Sequence, residues 1–565
     1  MAYTSSRGAE RAGGPSKSGK GESVMRSAGV VSAAVFLSRI SGLAREMIMA
    51  RLFGAGAAYD AFLLGFRIPN LARDLFAEGA LSSAFVPVFS KYLATKGKRE
   101  AAELSNLVAT ALALVVGGIC VLGIVFSPQL VWLLASGFAH VPGKFDLAVT
   151  LTRIMFPFLL LVALAAQAMG ILNALNQFGI PALSSTFFNI GSVAFGLGFG
   201  YTVGRWIGLS LIMSMAWGVV VGGAVQWLFQ APSLYRAGIS YRPRIDFTHP
   251  GLRNILRLMG PAILGNAAVQ INVLVNTNFA SSITDAAGHV INGPVSWLSY
   301  AFRFMQLPLG LFGVAIASAT LPAISRSAAL GKMDEFRLTL SRSLGMVLLL
   351  TVPSSVGLAV LGPSMIGAVY QWGRFRAADT HQTAMALACY AVGLAGYSAI
   401  KILAPAFYAL NDARTPMLVS LVSILVNLAV ASTMVKLAGL GHLGLALSTS
   451  AVALFGSVAL FLLLRRRIQR MHGRALASSV AKILCASAAM GAVCYLSSSG
   501  VHHWLGARKL AQIADVAISI PLGAAVYYAL CRAMRVAELE AAWAALATPL
   551  ARRFSAAPRH RAKLP

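Results

Sequence analysis

Residues 105–126 read SNLVATALALVVGGICVLGIVF, a stretch without a single charged side chain. A helix needs about 20 residues to cross the hydrocarbon core of a bilayer, so this run is long enough to span. Runs of comparable length recur near residues 27–50, 58–93, 148–173, 181–203, 206–231, 256–281, 294–322, 340–361, 384–410, 416–436, 443–464, 476–497 and 510–531. In hydrocarbon every backbone N–H and C=O must be bonded inside the protein, which leaves helices and closed barrels as the options. The runs are too long and unbroken for the alternating strands of a barrel. The fold class is therefore an all-α polytopic membrane protein with about 14 transmembrane helices. Only 12% of residues are charged, against roughly 25% in soluble domains.

The net charge of +29 has a topological origin. With the N-terminus placed in the cytoplasm, 32 of the 47 Lys and Arg fall in cytoplasmic segments and 8 in the opposite loops. With Lys91, Arg257, Arg342, Lys436 and Lys482 near span ends counted with their loops, the other 7 lie within spans: Arg39, Arg45, Arg67, Arg73, Arg153, Arg303 and Lys401. This asymmetry puts both termini inside and removes the case for nucleic acid as a partner. Arg465, Arg466 and Arg467 read as a positive stop on the inner side.

Several features that could suggest chemistry do not. Gly14 to Lys20 has phosphate-loop spacing, but Gly21 stands where a Ser or Thr must hold magnesium, and no strand precedes it. Cys120, Cys389, Cys485, Cys494 and Cys531 all fall in spans, form no CxxC pair and read as buried free thiols. No Ser/His/Asp or metal-ligand spacing recurs among the nine histidines. The expectation is no enzyme, no metal and no cofactor.

The stretch from Phe36 to Lys91 departs from the apolar pattern. It has the bulk of two spans yet carries Arg39, Arg45, Glu46, Asp60, Arg67, Arg73, Asp74 and Glu78. Four arginines facing lipid at mid-depth would cost about 10–14 kcal/mol on insertion scales, so a water-filled cavity is the economical explanation. Pro69 follows Arg67 and is expected to break the second span, as happens where helices line a transporter site. Arg39 and Glu46 share a helix face, Arg45 lies about 120° round, and Asn70, Asp74 and Glu78 form a stripe beside Arg73. In the second half Arg303 precedes Gln306 and Pro308 in its span. Some of these charges can serve simply to pair helices, but the five arginines outnumber the four acids. Guanidinium groups suit bidentate contact with phosphate. Lys401 has a weaker claim, and Arg153 reads as an interfacial residue that snorkels.

The chain also repeats itself. Residues 83–91, SAFVPVFSK, echo 318–326, SATLPAISR, and 174–181, ALNQFGIP, echo 409–416, ALNDARTP, both at an offset of 235. A repeat of six spans keeps its orientation, so the halves are related by an axis along the membrane normal, with the substrate site between them. The last two spans fall outside the repeat. The implied boundaries are a disordered cytoplasmic tail at 1–24, an N-lobe at 25–235, a C-lobe at 236–470, two added helices at 471–535 and a basic cytoplasmic tail at 536–565. The plentiful small residues within spans, such as Gly196, Gly218 and Gly222, read as sites of close helix packing.

The segments SRISGLARE, FGAGAAYDA, IPNLARDLFAEGALSSAFVPVFSKY, GPAILG, LPLGLFGVAIASATLPAIS and KILAPAFYALNDARTP occur here in order. With them the chain resembles the MurJ (MviN) family of lipid II flippases, within the multidrug/oligosaccharidyl-lipid/polysaccharide (MOP) exporter superfamily. The resemblance covers nearly the whole chain after residue 24. It implies two six-helix lobes around a V-shaped cavity, with helices 13 and 14 framing a groove for the lipid tail. It also implies alternating access that carries lipid II, the undecaprenyl-pyrophosphate-linked disaccharide pentapeptide, across the bacterial cytoplasmic (inner) membrane. On this resemblance Arg39, Arg45, Arg73 and Arg303 would bind the pyrophosphate. Asp60, Arg67, Pro69, Asn70, Glu78, Gln306 and Lys401 would support the gate and the helix shapes. The expected partners are lipid II, membrane lipids and cell-wall synthesis proteins, with the chain itself a monomer.

The chain departs from the family pattern at Phe302 and Gln306, where acids are common, and at Asp74, where a second base is common. No Asp or Glu lies in the spans near 256–281, 416–436 or 443–464, where some relatives bind sodium, which points away from sodium coupling and leaves membrane potential acting on a mobile charged cavity as an alternative. The rival readings are an exporter of another polyprenyl-linked glycan or of a drug, and a non-transporting scaffold for envelope synthesis. A cation exporter would carry acids in the cavity.

Overall fold

A computed structural model describes residues 17–74, 81–469, 473–506 and 509–540. Among them every regular element is helical, and the lone β-bridge joins Thr284 to Val290. In the first half the helices are α1 (Lys17–Phe53), α2 (Ala57–Arg73), α3 (Ser82–Thr95), α4 (Gly97–Val125), α5 (Ser127–Leu134), α6 (Lys144–Met155), α7 (Pro157–Ala174), α8 (Gly179–Phe199), α9 (Leu211–Leu228) and α10 (Ala231–Arg236). The second half contains α11 (Pro250–Ser281), α12 (Pro294–Pro308), α13 (Ala315–Ala329), α14 (Met333–Tyr370), α15 (Ala377–Ala409), α16 (Arg414–Ser432) and α17 (Gly441–Ile468). Two more follow, α18 (Gly473–Leu505) and α19 (Lys509–Ala533).

Eleven helical segments among the described residues are long and apolar enough to cross a membrane. The other three expected spans, on α1, α2 and α11, contain or adjoin residues outside the described set.

The repeat is visible in the backbone. Asn176 and Asn411, related by the offset of 235, both take left-handed conformations with φ of 60° and 58°. Asparagine is the side chain that, after glycine, best tolerates this conformation at a helix end. The same turn closes in both places: the Gln177 N–H donates to the Leu172 carbonyl at 2.8 Å, and the Asp412 N–H to the Phe407 carbonyl at 2.9 Å. In the second copy Asp412 also accepts from the Thr415 amide at 3.1 Å and its hydroxyl at 2.8 Å, and it pairs with Arg467. The Thr415 hydrogen bonds hold the Asp412 carboxyl below the usual carboxylate range. π-Helical geometry also recurs, at Asp74 and at Leu309–Val314, and again at Gly200–Gly204 and Thr433–Leu437.

Pro69 does not break its helix. It is buried inside α2, which stays α-helical to Arg73 before the π turn at Asp74. A proline forfeits one backbone bond, but tertiary packing can hold the helix through it. Gly65 lies so close to α6 that a Cβ there would sit 3.0 Å from the Thr152 nitrogen, and Leu64 and Ile68 are buried on the same helix. Glu78 lies outside the described residues.

By contacts the chain divides into two compact units. One comprises residues up to Glu46, Phe76–Cys120 and Pro157–Gly260; the other comprises Met47–Leu75, Val121–Phe156 and everything from Pro261 onward. In the first unit Phe85, Phe89, Leu104, Ile171 and Ile255 form a core, and α8 packs closely on α9. Glycine makes that approach possible. A Cβ on Gly218 would sit 2.3 Å from the Ser192 carbonyl oxygen, and one on Gly222 2.8 Å from that of Phe188. Gly218→Val is therefore expected to destabilise the protein by roughly 1–3 kcal/mol through overpacking. Gly198→Ala, which meets nothing within 4 Å, should leave the thermal midpoint in detergent unchanged.

In the second unit α14, α15 and α17 enclose Phe336, Leu340, Leu344, Leu403, Phe407 and Leu464. The two added helices dock on α14: Ile483 and Cys531 pack against Leu349, whose carbonyl accepts the Tyr527 hydroxyl at 2.7 Å. The cysteine reading needs one correction. Cys120, Cys494 and Cys531 are buried and Cys389 is half-buried, but Cys485 is exposed, because Ile483 and Ala486 occupy the α14-facing side of α18 instead.

Candidate transport site

The proposed anion-binding arginines fall in both units and differ in setting. In the first unit Arg39 is exposed on α1, and Glu46 is buried at 7% exposure. Arg45 is half-buried, with its guanidinium 5.3 Å from the centre of the Phe188 ring on α8. Six residues of α-helix rotate a side chain by about 240°, which is why Arg39 and Arg45 face different surroundings. Beside Arg39, the Asn189 amide donates to the Ser41 hydroxyl at 3.1 Å and fixes α1 to α8.

In the second unit Arg67 is half-buried and donates to the Thr277 hydroxyl on α11 at 2.6 Å. Arg73 pairs with its neighbour Asp74 at 2.9 Å, and the other oxygen of Asp74 lies 3.5 Å from the Gln270 amide. The departure of Asp74 from the family pattern thus has a local effect: it occupies one edge of the Arg73 guanidinium. Asn70 keeps a buried Oδ1 without a hydrogen-bond partner among the described residues. On α12 Arg303 and Gln306 are both exposed, just ahead of Pro308 and the π-helical Leu309–Val314. Phe302 packs edge-on against Tyr390 at 5.5 Å. Lys401 is exposed on α15, and Arg153 is exposed with its Nε 3.3 Å from the Ile124 carbonyl.

The densest polar arrangement in the second unit surrounds Asp60, in the first turn of α2. This carboxylate is fully buried. Its Oδ2 accepts from Lys144 Nζ at 2.9 Å and the Gly293 N–H at 2.8 Å. Its Oδ1 accepts from the Ser296 N–H at 2.9 Å and the Ser296 hydroxyl at 2.5 Å. Two of these donors are backbone amides at the start of α12, where the helix dipole favours a negative charge. Lys144 is buried at 2% exposure, donates also to Asn292 Oδ1 at 2.9 Å, and lies 4.1 Å from the centre of the Phe138 ring.

Neighbouring contacts close the same helix ends. Tyr59 stacks on Tyr300 at 5.2 Å, and Tyr300 meets Tyr370 at 4.6 Å. The Arg374 N–H donates to the Arg51 carbonyl at 3.0 Å, and a Cβ on Gly54 would come within 2.6 Å of the Arg374 carbonyl oxygen. Asp60 was expected at a gate; Lys144, Asn292 and Ser296 were not. Lys144 reads in sequence as one of eight ordinary loop charges. The usable signal was Gly293-Pro294, a helix-start pair that marks where unpaired amides become available.

A family described as lipid II flippase MurJ matches residues 49–513. A relative named lipid II flippase MurJ, from Burkholderia cenocepacia, is 36% identical over 77% of this chain and 83% of its own length. One named probable lipid II flippase MurJ, from Vibrio cholerae, is 32% identical over 92% of this chain and 98% of its own. A solved structure titled lipid II flippase MurJ, inward closed conformation, superposes with a TM-score of 0.72 at 26% identity, covering 89% of this chain and 99% of that one. A multidrug resistance MATE family transporter of the MOP superfamily, in an inward-facing conformation, shares the fold with a TM-score of 0.62 at 16% identity, covering 78% and 98%. With a family match across most of its length, the helical repeat and this near-complete coverage of relatives, the chain belongs to the MurJ family of membrane transporters.

Proposed function

We propose that this chain is a flippase that carries lipid II across the bacterial cytoplasmic membrane by alternating access. The observation that carries this reading is the surplus of arginines on α1, α2 and α12, in a chain whose relatives are named lipid II flippases. Arg39, Arg45, Arg73 and Arg303 bind the pyrophosphate, each offering a fork of donors matched to phosphate oxygens. Arg67, tied to Thr277, and Asn70, with an open acceptor, shape α2 around that site. The sign of the charge favours a lipid-linked anion over the cationic substrates of a drug exporter.

With both termini in the cytoplasm, the helix ends around Asp60 and Lys144 form the outer end of the transport path. Their closure corresponds to a state sealed to the outside. Releasing the head group then requires the Asp60–Lys144 pair and its α12 donors to separate, while the lipid tail stays in the bilayer along α18 and α19. The lobes at 25–235 and 236–470 would move as the alternating bodies, and the chain acts as a monomer.

The test is depletion of the resident flippase in a bacterium that depends on it, with this chain supplied in its place. Rescue of growth, together with restored exposure of lipid II at the outer face, is the expected result. Normal insertion with neither rescue nor lipid II exposure would contradict the assignment.

A further inference from the structure

Asp515, on α19, is a carboxylate with no exposed surface in a helix that is otherwise membrane-spanning. Three serine hydroxyls donate to it: Ser364 from α14, Ser498 from α18 at 2.6 Å and Ser519 from α19 itself at 2.6 Å. With its proton on Asp515, Ser519 accepts from the Ser497 hydroxyl at 2.8 Å. At the outer edge of the cluster stands His502, about a third exposed, with Nε2 3.0 Å from the Ser364 oxygen and 3.5 Å from Asp515 Oδ2. Its Nδ1 lies 3.4 Å from the Gly506 carbonyl oxygen. The three residues do not form a nucleophile triad, because Ser364 and Asp515 both meet the same imidazole nitrogen.

Counting hydrogens decides what this cluster holds. The one Ser364 proton is directed to Asp515, so Ser364 can only accept from His502 Nε2. The Gly506 carbonyl can only accept from Nδ1. With Asp515 ionised, both contacts are hydrogen bonds only when the imidazole carries two protons; with a neutral ring the same proton must sit on the Asp515 carboxyl, which then donates to Ser364 while Ser364 donates to Nε2. The same extra proton also balances a carboxylate that has no other ion-pair partner among the described residues. Two further ionisable groups on these helices lie near the cluster, and Cys494 is close enough to feel the charge of Asp515. Cys494 on α18 is directed at the Ser519 carbonyl at 3.6 Å, and Lys509 on α19 is bonded to the Gly367 and Gln371 carbonyls at 2.6 and 3.2 Å.

We propose that His502 and Asp515, with their serine ring, form a proton-binding site whose occupancy seats α18 and α19 on α14. The proton belongs to the pair as a unit. When it leaves, one negative charge remains among hydroxyls, one hydrogen bond at His502 is lost, and the contact through Ser364 weakens. Six residues after Ser364 the same helix presents Tyr370 to Tyr300 at 4.6 Å. This site is independent of the arginines and of the substrate's identity.

Hydrogen exchange on the full-length protein in lipid nanodiscs tests it. Amide protection over residues 495–505 would be followed from about pH 5 to about pH 9, a range that includes histidine's usual titration, after correction for intrinsic exchange. Wild type should lose about tenfold in protection as pH rises. Asp515→Asn, which keeps the shape and removes the charge, should be flat. Ser498→Ala, which removes one donor from the Asp515 carboxylate, should move the loss of protection to higher pH without abolishing it. A flat wild type, or an Asp515→Asn variant that follows the wild-type curve, would overturn the proposal. Replacing choline with sodium at fixed pH adds a further check. A sodium-induced gain in protection that Asp515→Asn abolishes would overturn it in favour of a metal cation.

Discussion

Lys144→Met is expected to destabilise the second unit around Asp60 by about 3–5 kcal/mol, the cost of leaving one member of a buried ion pair alone. Asp60 would keep its Gly293 and Ser296 donors but lose its only ion-pair partner among the described residues. Asp60→Asn should cost a comparable amount, since it strands a buried ammonium between Asn292 and Phe138. The double variant should lie closer to wild type than the sum of the single changes, because neither charge is then stranded. Denaturation in detergent, combined with exchange protection over residues 54–62 and 292–300, measures all four corners of the cycle. Additive single effects would remove the pair from the account. In transport, each single variant should also favour opening around Asp60, seen as greater thiol accessibility at a cysteine introduced at Ala57.

Arg303→Ala and Arg39→Ala are each expected to abolish rescue of a flippase-depleted strain at matched membrane levels. A hydrogen bond to a charged group contributes roughly 1.5–3 kcal/mol, so each loss should weaken binding of the pyrophosphate by about 10- to 150-fold. Arg303→Lys keeps the charge but loses the planar fork, and should recover only part of the affinity. Arg153→Ala is the matched control: it removes an exposed arginine on α6 whose recorded contact is the Ile124 carbonyl, and growth should be unaffected. Binding of a soluble pyrophosphate-linked analogue to each purified variant would separate lost recognition from lost insertion. Survival of both alanine variants with unchanged lipid II exposure would refute the assignment of these arginines as the binding site.

The spans were legible because hydrocarbon imposes one rule on every backbone group, and apolar runs of the right length have few other solutions. The repeat was legible for a similar reason: the turns at Asn176 and Asn411 need specific residues, and those residues were retained in both halves. Pro69 was misread because its local preference was overridden by packing of α2 against α6. Lys144 and the His502–Asp515 pair were not legible. Their partners lie 84 residues away in one case and on three separate helices in the other, and no spacing rule encodes that proximity. Asp60 could be singled out as a charge in an apolar helix, but the donors that satisfy it come from the start of α12, which only the fold brings near.

The π turns bear on the history of the chain. A π segment is an α-helix accommodating one residue too many. One stands at Asp74 and another at Leu309, in the same register of the two halves. Two separate insertions at matching positions would be a coincidence. A single insertion in a six-helix ancestor, copied when that ancestor's gene doubled, accounts for both. The π turn in the second span of each half is then older than the fusion that made this protein, and the same extra residue should be found in half-length chains descended from that ancestor.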